Sequence, residues 1–164
     1  MNKKMLIVLL GFLVVGSLSF AEQRRMVVPA NSKIILERSR CFGLCPAYKL
    51  TIYADGKIEF IGDKFVNAKG PHAKTIPQKN VEFMFTEVYN ANFFGLDGRY
   101  DCFEGVDNPT VKIAVTKGER TKEIVHYHGC ESADQQELAA LTILEDKIDE
   151  LAEIADWKKF GKER

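Results

Sequence analysis

The chain has 164 residues and carries 23 basic against 23 acidic side chains, a formal net charge of zero. So even a balance, with the two signs interspersed, argues against a dedicated nucleic-acid or anionic-membrane binder and leaves no like-charged tail. No internal repeat, low-complexity tract or linker divides the sequence.

The N-terminus reads as an export signal. Asn2, Lys3 and Lys4 form a short positive region, Met5 to Val15 is an apolar run interrupted only by Gly11, and Ser19 and Ala21 supply the small residues a signal peptidase reads. The apolar run is shorter than the roughly 20 residues a membrane-spanning helix needs. Two arginines follow the cleavage point instead of a stop-transfer run, and no cysteine stands there to carry a lipid. Cleavage after Ala21 places the protein in the periplasm or outside the cell, without a membrane span. It leaves roughly 140 residues, enough for one domain with a real core. The expected organisation is a signal peptide over 1–21, a lead-in over 22–32, one domain over 33–158 and a tail over 159–164.

The predicted elements follow in order. Lys33 to Arg38 reads as a strand. Tyr48 to Tyr53 alternates with period two, Asp55-Gly56 follows, and Lys57 to Ile61 alternates again. That pattern predicts a hairpin whose tight turn has positive φ at both central residues. Lys64-Phe65-Val66 suggests a short further strand, and Lys69-Gly70-Pro71-His72 breaks the pattern. From Gln78 to Asn92 the residues Val81, Met84, Phe85, Val88 and Tyr89 recur at helical spacing, with Gly95 as the C-terminal residue. Thr110 to Thr116 and Glu123 to His128 form a second hairpin joined by Lys117-Gly118-Glu119-Arg120. A second helix opens on a Ser132-x-x-Gln135 capping box and buries Leu138, Leu141, Leu144, Ile148, Leu151 and Ala155. Strands, helix, hairpin, helix, without βαβ alternation, predict a single two-layer α+β domain. Its antiparallel sheet would have about five to six strands, with the two helices packed on one face.

Four cysteines, Cys41, Cys45, Cys102 and Cys130, lie in the exported part, and an even count in an oxidising compartment reads as disulfides. Positions four apart in an extended strand stand roughly 13 Å apart, whereas a disulfide needs Cα atoms within about 7 Å. A Cys41–Cys45 bond therefore requires a turn, which Gly43 permits. A Cys102–Cys130 bond would close about 29 residues and contribute roughly 3.5 kcal/mol in chain-entropy arithmetic. These two cysteines flank the ends of the second hairpin, so this local pairing is favoured among the three possible.

A rival reading makes Cys41 and Cys45 a copper or thiol-redox site. The C-x-x-x-C-P spacing resembles the copper-binding segment of the thioredoxin-fold copper chaperones of cytochrome oxidase assembly, and His72, His126 or His128 would add a ligand. In that family a helix follows the motif, whereas here a strand does. His126 and His128 leave one strand face together and make a metal half-site, but the sequence places no third ligand. The plainer reading is two half-exposed strand histidines beside Tyr127. Asp97, Asp101, Glu104 and Asp107 lack the oxygen spacing and fixed glycine of a calcium loop. There is no nucleophile elbow, phosphate-cradling glycine loop or zinc-protease helix.

Leu36-Glu37-Arg38-Ser39, Cys41-Phe42-Gly43 with Cys45-Pro46 and Tyr48, and Asp55-Gly56 stand together with Phe93-Phe94, Tyr100, Asp107, Pro109 and the helix from Leu144 to Trp157. In these features the chain resembles a bacterial family of exported proteins known only as a domain of unknown function, over roughly residues 33–157. The resemblance implies an extracytoplasmic compact domain and brings no reaction, cofactor or ligand. The reading that results is a disulfide-stabilised, non-catalytic binding or interaction module of the cell envelope, its partner unidentified. An inhibitor of an exported hydrolase is one variant of it. Phe42 and Leu44, with Asp55 and Gly56, are its candidate contact surface.

Overall fold

A computed structural model describes residues 26–101, 107–130 and 133–159. Ten elements follow in chain order: β1 Lys33–Arg38, β2 Ala47–Tyr53, β3 Lys57–Lys64, β4 Gly70–Thr75, α1 Gln78–Asn90, β5 Arg99–Tyr100, β6 Thr110–Lys117, β7 Arg120–Tyr127, α2 Gln135–Leu151 and α3 Ala155–Lys158. The strands form one sheet in the order β4-β3-β2-β1-β6-β7-β5. Every pairing is antiparallel except β5 on β7, so the sheet is mixed.

The class is α+β, as expected, and the described residues form seven strands and three helices where five or six and two were expected. The additional strands lie at the two edges. β4 contains the Gly70-Pro71 pair that reads as a breaker, but an outermost strand tolerates a proline because one side of it has no ladder to complete. β5 has two residues, too few to show a period. The expected strand over Lys64-Phe65-Val66 does not form: Lys64 ends β3 and Phe65 adopts a left-handed φ of 55°.

Alternation puts Ile34 and Leu36 of β1, Leu50 and Ile52 of β2, and Ile113 and Val115 of β6 on one face, all fully buried or nearly so. Lys33, Glu37, Lys49 and Lys112 point the other way and are exposed. The helices cover the apolar face. α1 contributes Val81, Met84, Phe85 and Val88, whereas Tyr89, expected on this stripe, is 74% exposed. α2 contributes Leu138, Leu141, Leu144 and Ile148. The chain leaves α2 at Leu151, so Ala152 and Ile154 fill the last core positions and Ala155 is exposed at the start of α3.

The hairpins form where expected, with different turns. Gly56 N–H donates to Tyr53 O, and only Gly56 (φ 85°) is left-handed. This is the three-residue loop in which an ordinary turn is followed by one left-handed glycine. Lys117 pairs with Arg120, leaving Gly118-Glu119 as a two-residue loop with positive φ at Gly118. Helix caps also differ. Asp134 accepts from the N–H groups of Gln136 and Glu137, so it caps α2, and Ser132 lies outside the described residues. α1 closes on Asn92 (φ 48°) and not on Gly95.

Candidate functional site

Cross-strand register builds a row of side chains on the helix-covered face. Gly62, Tyr48, Arg38, Val111, His126 and Tyr100 are successive partners across β3, β2, β1, β6, β7 and β5. Four of the six are polar, next to apolar rows of the central strands such as Leu36, Leu50 and Ile113. α2 lies above them and supplies an acid to each: Glu137 to Tyr100, Glu145 to the histidines and Asp149 to Tyr48. Spacings of eight and four residues bring these acids onto one helix face.

Glu145 is the centre of the cluster and has no solvent exposure. His126 Nδ1 lies 2.7 Å from its Oε1 and His128 Nε2 lies 2.8 Å from its Oε2. The two imidazole rings stack with centroids 4.5 Å apart and planes at 28°. Arg38 Nη1 donates to Glu145 Oε2 at 3.2 Å, Nη2 to Asp149 Oδ2 at 3.1 Å, and Nε to the Tyr48 hydroxyl at 2.9 Å. The Tyr48 hydroxyl donates to the Asp149 carboxylate, 2.6 and 2.7 Å from its oxygens, and Lys158 Nζ donates to Asp149 Oδ2 at 2.8 Å.

The electrostatics follow from these contacts. Burial alone would raise the Glu145 pKa, but hydrogen bonds from His126 and His128, with the nearby charges of His128 and Arg38, hold it below the usual carboxylate range. Burial disfavours the Arg38 charge, yet Tyr48, Asp149 and Glu145 outweigh it and hold the guanidinium more firmly protonated than usual. Burial and Asp149 push the Tyr48 phenol up. Burial and Glu137 push Tyr100 to about 12. Among the described residues no buried side-chain nitrogen or oxygen lacks a hydrogen-bond partner. A closed set of partners is what makes this much buried charge tolerable.

Beside the histidines is an open cavity of about 650 Å³, bordered by Asn108, His126, Tyr127, His128, Cys130 and Leu138 among others. His128 exposes a quarter of its side chain, while His126 exposes 4%. The expectation of two half-exposed histidines is therefore right only for His128.

The cysteine segment is arranged differently. Cys41 and Cys45 are bonded to each other, with Cα atoms 5.7 Å apart, so the segment turns as the geometry demanded. A copper set of Cys41, Cys45, His126 and His128 requires that bond to be reduced first. Phe42 is 89% and Leu44 65% exposed on the loop it closes. Phe42 N–H donates to Asp107 O across the base of the loop. Cys130 is buried and disulfide-bonded, and Cys102, like Glu104, lies outside the described residues. Asp55 accepts from Lys57 N–H inside its turn. Asp101 pairs with Arg99, and the described residues gather no acidic group around Asp97, Asp101 and Asp107. His72 stands apart, tilted against Trp157 with ring centroids 5.7 Å apart.

Sequence reasoning missed Arg38, Tyr48, Glu145 and Asp149 as members of one site. The available signal was that Glu145 and Asp149 directly follow the stripe residues Leu144 and Ile148, four apart. On a helical wheel they border the apolar face, where an acid is ordinarily solvated.

Fold and site together define a small disulfide-bearing α+β domain with a charged network between sheet and helix. A family model described as domain of unknown function (DUF6438) matches residues 32–152, from the residue before β1 to the residue after α2. The chain belongs to that family, which, like the family it resembles in sequence, carries no assigned reaction. No curated protein matches the sequence. Among the described residues no helix is long and apolar enough to cross a membrane.

Proposed function

We propose that the protein is an exported binding module of the cell envelope that performs no chemistry and grips a partner protein through the Cys41–Cys45 loop. The observation that carries this reading is the exposure of Phe42 and Leu44, 89% and 65%, on a loop closed by a disulfide. Two large apolar side chains in water are unfavourable unless something covers them. A covalently closed loop, tied also to Asp107, gives up little conformational freedom on docking, so more of the burial energy appears as affinity. Aromatic anchors presented this way are the side chains that dominate binding energy at interfaces.

The test places a photoreactive phenylalanine analogue at position 44 of the exported protein and irradiates it in intact envelopes. One discrete adduct is expected, lost on Phe42→Ser and retained on Ile61→Ser, which alters an exposed residue on the open sheet face. Adducts that are diffuse, or equally strong in both variants, would sink the reading. Mass spectrometry of the purified protein tests export: the mature chain should begin at Glu22.

A further inference from the structure

We propose that His126, His128 and Glu145 form a binding site for one divalent first-row transition cation, for which Zn²⁺ is the natural probe. Three observations meet here. The first is the donor set: two imidazoles and a carboxylate. This combination suits zinc, copper(II) and nickel, and it is too nitrogen-rich for calcium or magnesium and too hard for copper(I).

The second is convergence. One ligand atom from each residue can be chosen so that all lie within 4.8 Å of one another. His126 Nδ1 and His128 Nε2 already face the two oxygens of one carboxylate at 2.7 and 2.8 Å. Ligand bonds of about 2.0–2.2 Å place neighbouring ligand atoms roughly 3.4 Å apart in a tetrahedron, so the carboxylate contacts open slightly while the widest pair closes onto the ion. The cation replaces two N–H···O hydrogen bonds. Each imidazole then turns a lone pair inward and carries its proton on the other ring nitrogen.

The third is the surroundings. Arg38 lies 3.2 Å from Glu145 and its charge would oppose a cation, but Asp149 at 3.1 Å and Asp146 at 3.8 Å answer that charge. Asp149 is shared with Lys158 at 2.8 Å, so these acids offset the Arg38 charge only in part, and Arg38 acts as the outer partner that fixes the orientation of a ligating carboxylate. The quarter-exposed His128 and the adjoining cavity supply an entry path and room for water or a small anion at an open position. Three protein ligands plus an open position distinguish such a centre from a closed structural one.

The experiment uses the mature, untagged protein with its disulfides intact, stripped by chelator and titrated with Zn²⁺ by calorimetry. Co²⁺ absorption reports the ligand geometry. One saturable site per chain is expected, weakened at least about tenfold by His128→Ala and by Glu145→Gln and unchanged by His72→Ala. Should Glu145→Gln fail to fold, His128→Ala, at a partly exposed side chain, decides the matter, with circular dichroism confirming its fold. No saturable site in the wild-type protein, or a site that His128→Ala leaves intact, overturns the proposal and reduces the cluster to a structural ion network.

Discussion

Arg38→Met tests most directly whether the charged layer under α2 is held together as described. The substitution keeps the aliphatic stem and removes a guanidinium whose side chain is 13% exposed. It deletes three hydrogen bonds, to Tyr48, Glu145 and Asp149. Two buried carboxylates lose their common counter-charge. Breaking a buried ion pair from one side costs about 3–5 kcal/mol, because the remaining charge keeps its desolvation penalty. Here the lower end applies: Glu145 keeps both histidines and Asp149 keeps Tyr48 and Lys158. Urea denaturation is the assay. With a slope of about 2 kcal/mol per molar, a loss of about 3 kcal/mol lowers the midpoint by roughly 1.5 M. The control is Arg40→Met. Arg40 makes two shorter bonds to Asp63, but the two side chains are 62% and 47% exposed, so water replaces them and the midpoint should barely move. Equal midpoints for the two variants would refute the view that burial, not bond length, sets the value of these contacts.

Asp134→Ala removes the side-chain acceptor of two N–H groups at the start of α2 and should cost about 1 kcal/mol, read as a lower urea midpoint at unchanged slope. Gly62→Ala should cost about 1–3 kcal/mol, seen as a reduced melting temperature, because a Cβ there would meet the Ala68 carbonyl oxygen at 1.9 Å and the β3–β4 connection would have to shift. Alkaline pH should destabilise the fold. Tyr48 and Tyr100 both hold their protons above the usual phenol value of about 10, Tyr100 to about 12. The unfolded chain therefore deprotonates first, and stability that is complete below pH about 10 is lost as pH rises toward 12. Melting temperatures between pH 9 and 12 should fall more gently for Tyr48→Phe than for the wild type; parallel curves would show that the phenol is not the cause.

Much of the architecture was legible because local chemistry suffices for it. Period-two alternation at 48–53 and 57–61 around Asp55-Gly56 located the first hairpin, 33–38 and 110–116 read as strands, and helical spacing located α1 and α2. The turn in the cysteine segment followed from covalent reach once Cys41 and Cys45 pair, as they do. The failures share a cause. β4 and β5 are strands because of where they lie, at the edges of a sheet already formed, and neither Gly70-Pro71 nor a two-residue segment advertises this. Asp134 caps α2 through the N–H groups of Gln136 and Glu137, and a run with several capping side chains does not say by itself at which one the helix begins.

The site shows the same division more sharply. Alternation alone put His126 and His128 on one face of one strand and left them as half of something. Glu145 completes them from 17 and 19 residues further along the chain, and Arg38 joins from 107 residues before Glu145. No local pattern links residues so far apart: sheet register decides which side chains stand in one row, and the seating of α2 decides which acids lie over it. Periods a few residues long were enough for the class of fold and for placing the two histidines on one face, whereas the Cys41–Cys45 bond, favoured among three pairings, is a finding of the structure. That a buried carboxylate holds both imidazoles follows from packing alone, because the contact exists only once sheet and helix are together.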